Sequence, residues 1–253
     1  MYAEERQRAI LKQARQNGRV DVATLAAAFE ITSETVRRDL TALERGGMVR
    51  RVHGGAIPVE RLGAEPGLDA RDAVMTAEKD RIAVAALAQV PAEGAILLDA
   101  GTTVGRLANL IPADRELTVV TPSLPNALVL ANRPGITVML VGGRLRGHTL
   151  ASVDSWALNA LKDTYVDLAF IGTNGLSVER GLTTPDTAEA MVKRAAISSA
   201  RRTVVLADHT KICNDHFARF GELEDVDTLI TDTGVDPQTA DEITRTGVKV
   251  IAV

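Results

Sequence analysis

From Ala95 onward the chain repeats one pattern: a short, almost wholly apolar run, a turn containing Gly, Ser or Thr, then a stretch of helical periodicity. The apolar runs are Ala95–Leu98, Leu117–Thr121, Ile136–Val141, Val166–Ile171, Thr203–Ala207, Thr228–Thr231 and Val248–Val253. Helical segments occupy Thr103–Ile111, Leu124–Ala131, Thr187–Arg201 and the residues after Pro237, and a long helix over Asp69–Val90 leads into the first run. Runs this short and this uniformly apolar are strands covered on both faces, and the helices between them are the crossovers that parallel pairing requires. The expected fold is therefore α/β, a Rossmann-like, mostly parallel, doubly wound sheet over residues 69–253.

The first 57 residues follow another pattern. A polar helix, 3–16, carries Ile10, Leu11 and Ala14 on one side and stops at Gly18. Asp21 is placed to cap Val22–Phe29, Ser33 to cap a third helix ending near Arg45, and Gly46-Gly47 to stop it. Met48–His53 then turns back through Gly54-Gly55 into Ala56-Ile57. Residues 58–68, rich in Pro and Gly, read as a linker. Charge divides at the same place: residues 1–57 hold ten Lys and Arg against seven Asp and Glu, whereas the rest holds nineteen against twenty-six. A basic module on an acidic body suits a polyanion at one end only.

In the third helix Val36, Leu40 and Leu43 make one buried stripe, and Glu34, Arg38, Thr41 and Arg45 lie opposite, with Thr35 and Arg37 on the flanks. Two short helices, a tight turn and adjacent arginines near the start of the third describe a helix-turn-helix whose last helix enters the major groove. Ser33, Glu34, Thr35 and Arg38 are expected at base edges. Arg37, Arg50 and Arg51 are expected at phosphates, with His53 and Gly54 in the wing. Only Tyr2 and Phe29 are aromatic before residue 58, which disfavours single-strand binding by base stacking.

In the second domain, Asp99-Ala100-Gly101-Thr102-Thr103 joins a strand to a helix. Glycine permits close approach, and a helix N-terminus offers unpaired N–H groups, which suits a phosphate; a plain tight turn capped by Thr reads equally well. Gly142-Gly143-Arg144-Leu145-Arg146-Gly147-His148-Thr149 nearly spells a nucleotide-binding loop, but His148 stands where its lysine is required. Arg144 and Arg146 beside an anion is the better reading. Asp208 and Lys211 follow the strand Thr203–Ala207, at the edge where α/β ligands bind. Glu189 and Lys193, four apart on a helix, read as an exposed ion pair. Cys213 is the sole cysteine and reads as a buried thiol, so no disulfide within the chain and no cysteine-based zinc site is expected. Charges begin at residue 4 and no apolar run reaches membrane-spanning length, so the expectation is a soluble cytoplasmic protein without cofactor or metal.

Thr32-Ser33-Glu34-Thr35-Val36-Arg37-Arg38-Asp39-Leu40, then Leu43-Glu44, Gly47, Arg51 and His53-Gly54-Gly55-Ala56, resembles the DeoR family of bacterial transcriptional regulators. The resemblance continues to about residue 232 through Asp99–Thr103, Thr121 with Ser123, Gly142-Gly143, Phe170–Gly172, Gly181–Thr183, Glu189, Lys193, Asp208 and Lys211. It implies a winged helix-turn-helix followed by an effector domain like ribose-5-phosphate isomerase, which binds phosphorylated sugars. It further implies effector roles for Asp99, Gly101, Thr102, Thr103, Thr121, Ser123, Gly142, Gly143, Arg144, Glu189, Asp208 and Lys211, and for the basic residues Arg71 and Lys79. The chain departs from the family pattern with Pro122 in place of Asn, His209-Thr210 in place of a Ser-Ser-like pair, and Asp154 where Gly is common. The function expected is repression of sugar-catabolic genes, fructose uptake among them, by a homodimer or homotetramer on duplex operator DNA. The competing reading is a sugar-phosphate isomerase with an accessory domain. An adaptor binding protein through its helical module is opposed by the arginines.

Overall fold

Ile10, Ala14, Leu25, Val36, Leu40 and Leu43 are essentially fully buried together and form the core of an N-terminal unit. The structure, a computed structural model, describes residues 3–45, 48–52, 54–58 and 67–253. It divides into two compact units, Met1–Ala64 and Glu65–Val253. Gly46-Gly47, His53 and most of the expected linker lie outside the described residues.

The first unit runs α1 (Ala3–Asn17), β1 (Val20–Asp21), α2 (Val22–Ala28), α3 (Ser33–Arg45), β2 (Val49–Val52) and β3 (Gly55–Pro58). The hairpin β2–β3 is the expected wing, and β1 adds an unforeseen third strand antiparallel to β3. A Cβ at Gly55 would fall 2.0 Å from the Val20 carbonyl oxygen, so that pairing requires glycine. Both expected caps are corrected. Asp21 precedes α2 but its carboxylate makes no cap bond and accepts instead from Arg19 Nε at 3.2 Å. Ser33 lies inside α3, and the Thr32 hydroxyl accepts the Thr35 N–H at 3.2 Å.

The second unit begins with α4 (Leu68–Asp72) and α5 (Thr76–Leu87). The single long helix expected here is broken, because Met75 adopts φ 55° and turns the chain between them. Then follow β4 (Glu93–Leu98), α6 (Thr102–Leu110), β5 (Glu116–Thr121), α7 (Leu124–Leu130), β6 (Ile136–Leu140), β7 (Arg144–Arg146), β8 (Ala151–Val153) and α8 (Asp154–Lys162). The chain continues with β9 (Leu168–Gly172), β10 (Gly175–Ser177), β11 (Gly181–Thr184), α9 (Thr187–Ser198), β12 (Thr203–Leu206), β13 (Ala218–Gly221), β14 (Thr228–Thr231), α10 (Pro237–Arg245) and β15 (Lys249–Ala252).

The large sheet has the order β15-β14-β12-β9-β4-β5-β6, and every pairing in it is parallel. Alternate residues feed two cores: Leu97, Ala169, Ile171 and Val205 point to one face, Ile96, Leu98, Phe170 and Val204 to the other. The sequence β4, β5, β6 grows one way, and β9, β12, β14, β15 the other. The order therefore reverses between β4 and β9, and α/β sheets open a crevice beyond the carboxyl ends of such strands. A small antiparallel sheet (β10-β11-β13) and the hairpin β7–β8 complete the unit.

Candidate DNA-reading helix and effector site

In the first unit α3 buries Val36, Asp39, Leu40 and Leu43 and exposes Ser33, Glu34, Arg37 and Arg38. The Arg38 side chain is 82% exposed, more open than Arg37 or Glu34, and Glu34 lies 3.7 Å from Arg37 and 4.0 Å from Arg38. At that exposure the pairs hold the arginines only weakly, so a polyanion can displace Glu34. Arg51 departs from the expected position. Its Nη1 donates to Thr41 Oγ1 at 3.1 Å and its N–H to Glu44 Oε1 at 2.8 Å, which ties β2 to α3. Arg50 is half-buried on the same strand, and Gly54 takes φ 76° at the wing's turn. His53 lies outside the described residues.

Sequence reasoning passed over Asp39. Its carboxylate accepts from Arg6 Nε at 2.5 Å and from Gln7 Nε2 at 3.1 Å, fastening α3 to α1, and this hydrogen bond raises the Arg6 pKa. The signal was available: residues 36, 39, 40 and 43 share one helix face, and an Asp on a buried face needs a cation.

In the second unit Asp99 and Lys193 stitch the switch point shut beneath the crevice. The Lys193 ammonium donates to Asp99 Oδ2 and to the Gly172 carbonyl (2.9 Å), and the Gly172 N–H donates to Asp99 Oδ2 at 3.0 Å. Glu189, 3.9 Å from Lys193, also accepts from Arg146 Nη1 at 2.8 Å and from the Thr149 hydroxyl at 3.2 Å. The expected exposed Glu189–Lys193 pair is thus corrected: both side chains are buried members of a charge chain running Asp99–Lys193–Glu189–Arg146. Spacing alone could not distinguish the two cases.

Directly above, Gly101 adopts φ 131°, which a side chain would strain, and presents the N-terminus of α6 with Thr102 and Thr103. A Cβ built on Gly101 would lie 4.0 Å from Arg71 Nη2. Lys79 is buried, and its ammonium donates to the carbonyls of Arg71 and Val74 (2.7 Å to the latter), bracing the α4–α5 elbow. Burial lowers its pKa to about 8; Asp208 opposes that shift, and Lys211 and Arg71 add to it as like charges. The Asp208 carboxylate itself accepts from the N–H (3.1 Å) and hydroxyl of Thr210. Beside it, His209 donates its backbone N–H to Asp232 at 2.7 Å, and its Nδ1 lies 2.7 Å from the other carboxylate oxygen.

Gly101 and Thr102 form one wall of a cleft of about 300 Å³ that runs along α6, with α4 (Leu68, Asp69, Asp72) opposite and Ser123, Asn126 and Thr149 among the other lining residues. Ser123 caps α7, its hydroxyl accepting the Asn126 N–H. Of the expected effector residues only Gly101, Thr102 and Ser123 line this cleft; Arg71, Lys79, Asp99, Thr103, Glu189, Asp208 and Lys211 do not, nor do the four that follow. Thr121 is fully buried and donates to the Leu98 carbonyl at 2.6 Å. Gly142, Gly143 and Arg144 are exposed, and Arg144 pairs with Asp154 at 2.6 Å. Asp154 takes φ 75°, in keeping with a position where glycine is common. Cys213 is half-buried rather than buried.

Residues 6–61 match the family description "DeoR-like helix-turn-helix domain", and residues 74–233 match "DeoR C terminal sensor domain". The chain belongs to the DeoR family. It is similar along its whole length to other DNA-binding regulators of helix-turn-helix type. GlpR of Haloferax volcanii is 35% identical over 251 residues, 99% of this chain and 98% of that protein. The repressor GlcR of Bacillus subtilis is 33% identical over 251 residues, 99% of this chain and 96% of that one. Among solved structures, ribose 5-phosphate isomerase A of Neisseria gonorrhoeae matches 54% of this chain and 53% of its own, with a TM-score of 0.40 at 17% identity. This DeoR-family chain is accordingly a transcriptional regulator with a DNA-binding module and a sensor domain. No helix among the described residues is long and apolar enough to cross a membrane.

Proposed function

We propose that the chain represses carbohydrate-catabolic genes, fructose uptake and phosphorylation foremost, and that a phosphorylated sugar at the Gly101–Thr103 turn alters its grip on operator DNA. One observation supports this most directly. Around the Lys79 ammonium stand two further cations, Arg71 and Lys211, with two carboxylates, Asp208 and Asp72, and Arg71 Nη2 comes within 4.0 Å of a Cβ built on Gly101 at the start of α6. Three cations against two carboxylates leave a positive excess that an anion balances. A phosphate dianion is the anion that a glycine turn and a helix N-terminus accommodate. The repressor named for the glycerol-3-phosphate regulon in Haemophilus influenzae, 30% identical over 226 residues, lends support to a phosphorylated effector.

On the DNA side, Ser33, Glu34, Thr35 and Arg38 read bases while Arg37 and Arg50 meet phosphates, with Arg51 and Gly54 setting the wing. One small module offers limited contact area, so a homodimer or homotetramer on repeated half-sites, acting in the cytoplasm, accompanies the reading. An isomerase would need an uncommitted base beside the sugar. Here Asp99 and Glu189 are held in buried ion pairs, and Asp208 accepts two bonds from Thr210. Those commitments favour sensing over catalysis.

The test is titration of a duplex operator, selected from a random library, with and without fructose 1-phosphate, fructose 1,6-bisphosphate, glucose 6-phosphate or glycerol 3-phosphate. One of them should change affinity by roughly 5- to 150-fold, the range of ordinary allosteric coupling. No change with any phosphosugar would overturn the proposal.

A further inference from the structure

Gly105 lies inside α6, where glycine weakens a helix relative to alanine. Neither of the usual structural reasons for a glycine holds there. Its φ is not positive, and a Cβ would meet only Asn126 Oδ1, at an ordinary 3.5 Å. Its one distinguishing feature is its position, since both Gly105 and Asn126 line the cleft. Asn126 is only 2% exposed. Its Nδ2 donates to the Asp99 carbonyl at 2.9 Å, and because that carbonyl can only accept, the orientation of the amide is fixed. Its Oδ1 then faces Gly105 and accepts no hydrogen bond from any described residue. An amide oxygen on a cleft wall, with no donor among the described residues, takes its hydrogen bond from whatever fills the cleft, water or a ligand hydroxyl.

We infer that Gly105 and Asn126 form a hydroxyl-binding subsite of the effector cleft, in which the Asn126 Oδ1 accepts a hydrogen bond from a ligand O–H and Gly105 keeps the approach open. The inference rests on the reading of the cleft as a phosphosugar site and extends it to the ligand's other end. Thr102 and Gly105 are separated by three residues of helix, a rise of about 4.5 Å. A phosphate at the first turn of α6 therefore places a hydroxyl about two or three carbons from the ester opposite Asn126. The class selected is a monophosphate ester of a polyol or sugar. Arg106 lines the cleft at this end too, but its guanidinium is engaged with Asp72 at 2.9 Å and Asp80 at 2.6 Å, and Asp69 offers a further acceptor for a hydroxyl.

The test uses the full chain and its Gly105→Ala variant, titrated with fructose 1-phosphate, glucose 6-phosphate, glycerol 3-phosphate and inorganic phosphate by thermal shift and calorimetry. The ligand-free variant should melt at an equal or higher temperature, since alanine favours the helix and fits. Its response to inorganic phosphate should stay within twofold, and its affinity for the best phosphosugar should fall at least about tenfold, the range for blocking one buried polar contact. Unchanged phosphosugar affinity overturns the subsite. So does equal weakening of both ligand types, which would assign Gly105 to the phosphate end, and so does a lower melting temperature, which would make the glycine structural. If the unmodified chain responds to none of the phosphosugars, the broader regulatory reading fails and takes the subsite with it.

Discussion

Lys193 on α9 and Asp99 at the end of β4 form an ion pair in which both side chains are only 2% exposed. Their bond lies at the point where the strand order reverses and adds a side-chain tie to the β4–β9 backbone pairing there. A buried pair is not a net stabiliser by default, because desolvation offsets attraction, but deleting one partner strands the other.

The first prediction follows from that asymmetry. Lys193→Met should destabilise the sensor domain by about 3–5 kcal/mol, since Asp99 and Glu189 both lose a cation. Adding Asp99→Asn should recover part of the loss by removing the stranded charge. Urea unfolding of the two variants measures both effects. A double variant less stable than the single would show that the Gly172 N–H bond to Asp99, not the charge pairing, matters more.

A second concerns Asp39. Because its carboxylate joins α3 to α1 through Arg6 and Gln7, Asp39→Ala should cost the N-terminal unit about 2 kcal/mol, the usual size for a hydrogen bond to a charged group. It should also weaken DNA binding without altering sequence preference, because the residue positions the helix from its buried side. Circular-dichroism melts together with operator titration on a set of mutated sites separate the two effects.

These two residues show where the sequence was informative and where it was not. The seven parallel strands were legible because each is a run of apolar residues covered on both faces, and their boundaries shifted by only a residue or two. The hairpin β7–β8 and the sheet β10-β11-β13 were not. Their strands are three or four residues long, and all but β7 carry Gly, Ser or Thr, which signal turns equally well. Likewise Gly101, Thr102 and Ser123 could be placed from a strand–turn–helix pattern. Asn126 and Arg146 could not, because their roles arise from contacts with Asp99 and Glu189, far away in sequence. Residues 69–90 read as one helix because nothing in their composition marks Met75 as the left-handed residue that splits it.

The Lys79 ammonium supplies a prediction in pH. Burial lowers its pKa to about 8, below the value near 10.4 for an unfolded lysine. The unfolded chain therefore binds more protons between those values, and Lys79 costs least stability once pH has risen past them. Effector binding runs the other way. A phosphate ester is already dianionic above pH 7, so under the proposed function raising pH through 8 removes the Lys79 charge from the group of Arg71, Lys211, Asp72 and Asp208 around it. Affinity for the best phosphosugar should fall between pH 7 and 9 in the unmodified chain. In Lys79→Met it should be weaker at pH 7 and flat thereafter. A profile equally steep in both proteins would place the titrating group elsewhere.

The last prediction returns to α3, where Arg38 is open, and to β2, where Arg51 is anchored. An exposed side chain at the solvent face of a recognition helix is free to reach a base edge, and a bidentate arginine–guanine contact is worth about 1–3 kcal/mol of discrimination. Arg38→Ala should therefore weaken operator binding by roughly 5- to 150-fold and relax preference at one base pair per half-site. Its salt dependence should stay nearly the same. Arg37→Ala should behave in the opposite sense, weakening all sequences alike and reducing the log–log salt slope by about one. Arg51→Ala should do neither at first hand. Its guanidinium bonds to Thr41, while the backbone N–H keeps its bond to Glu44, so the loss should register first as a lower melting temperature of the wing and only then as weaker binding. Titrating the three variants against the operator and a scrambled duplex at several salt concentrations distinguishes these outcomes. If Arg38→Ala leaves base preference intact while Arg51→Ala abolishes it, the wing rather than α3 reads the sequence.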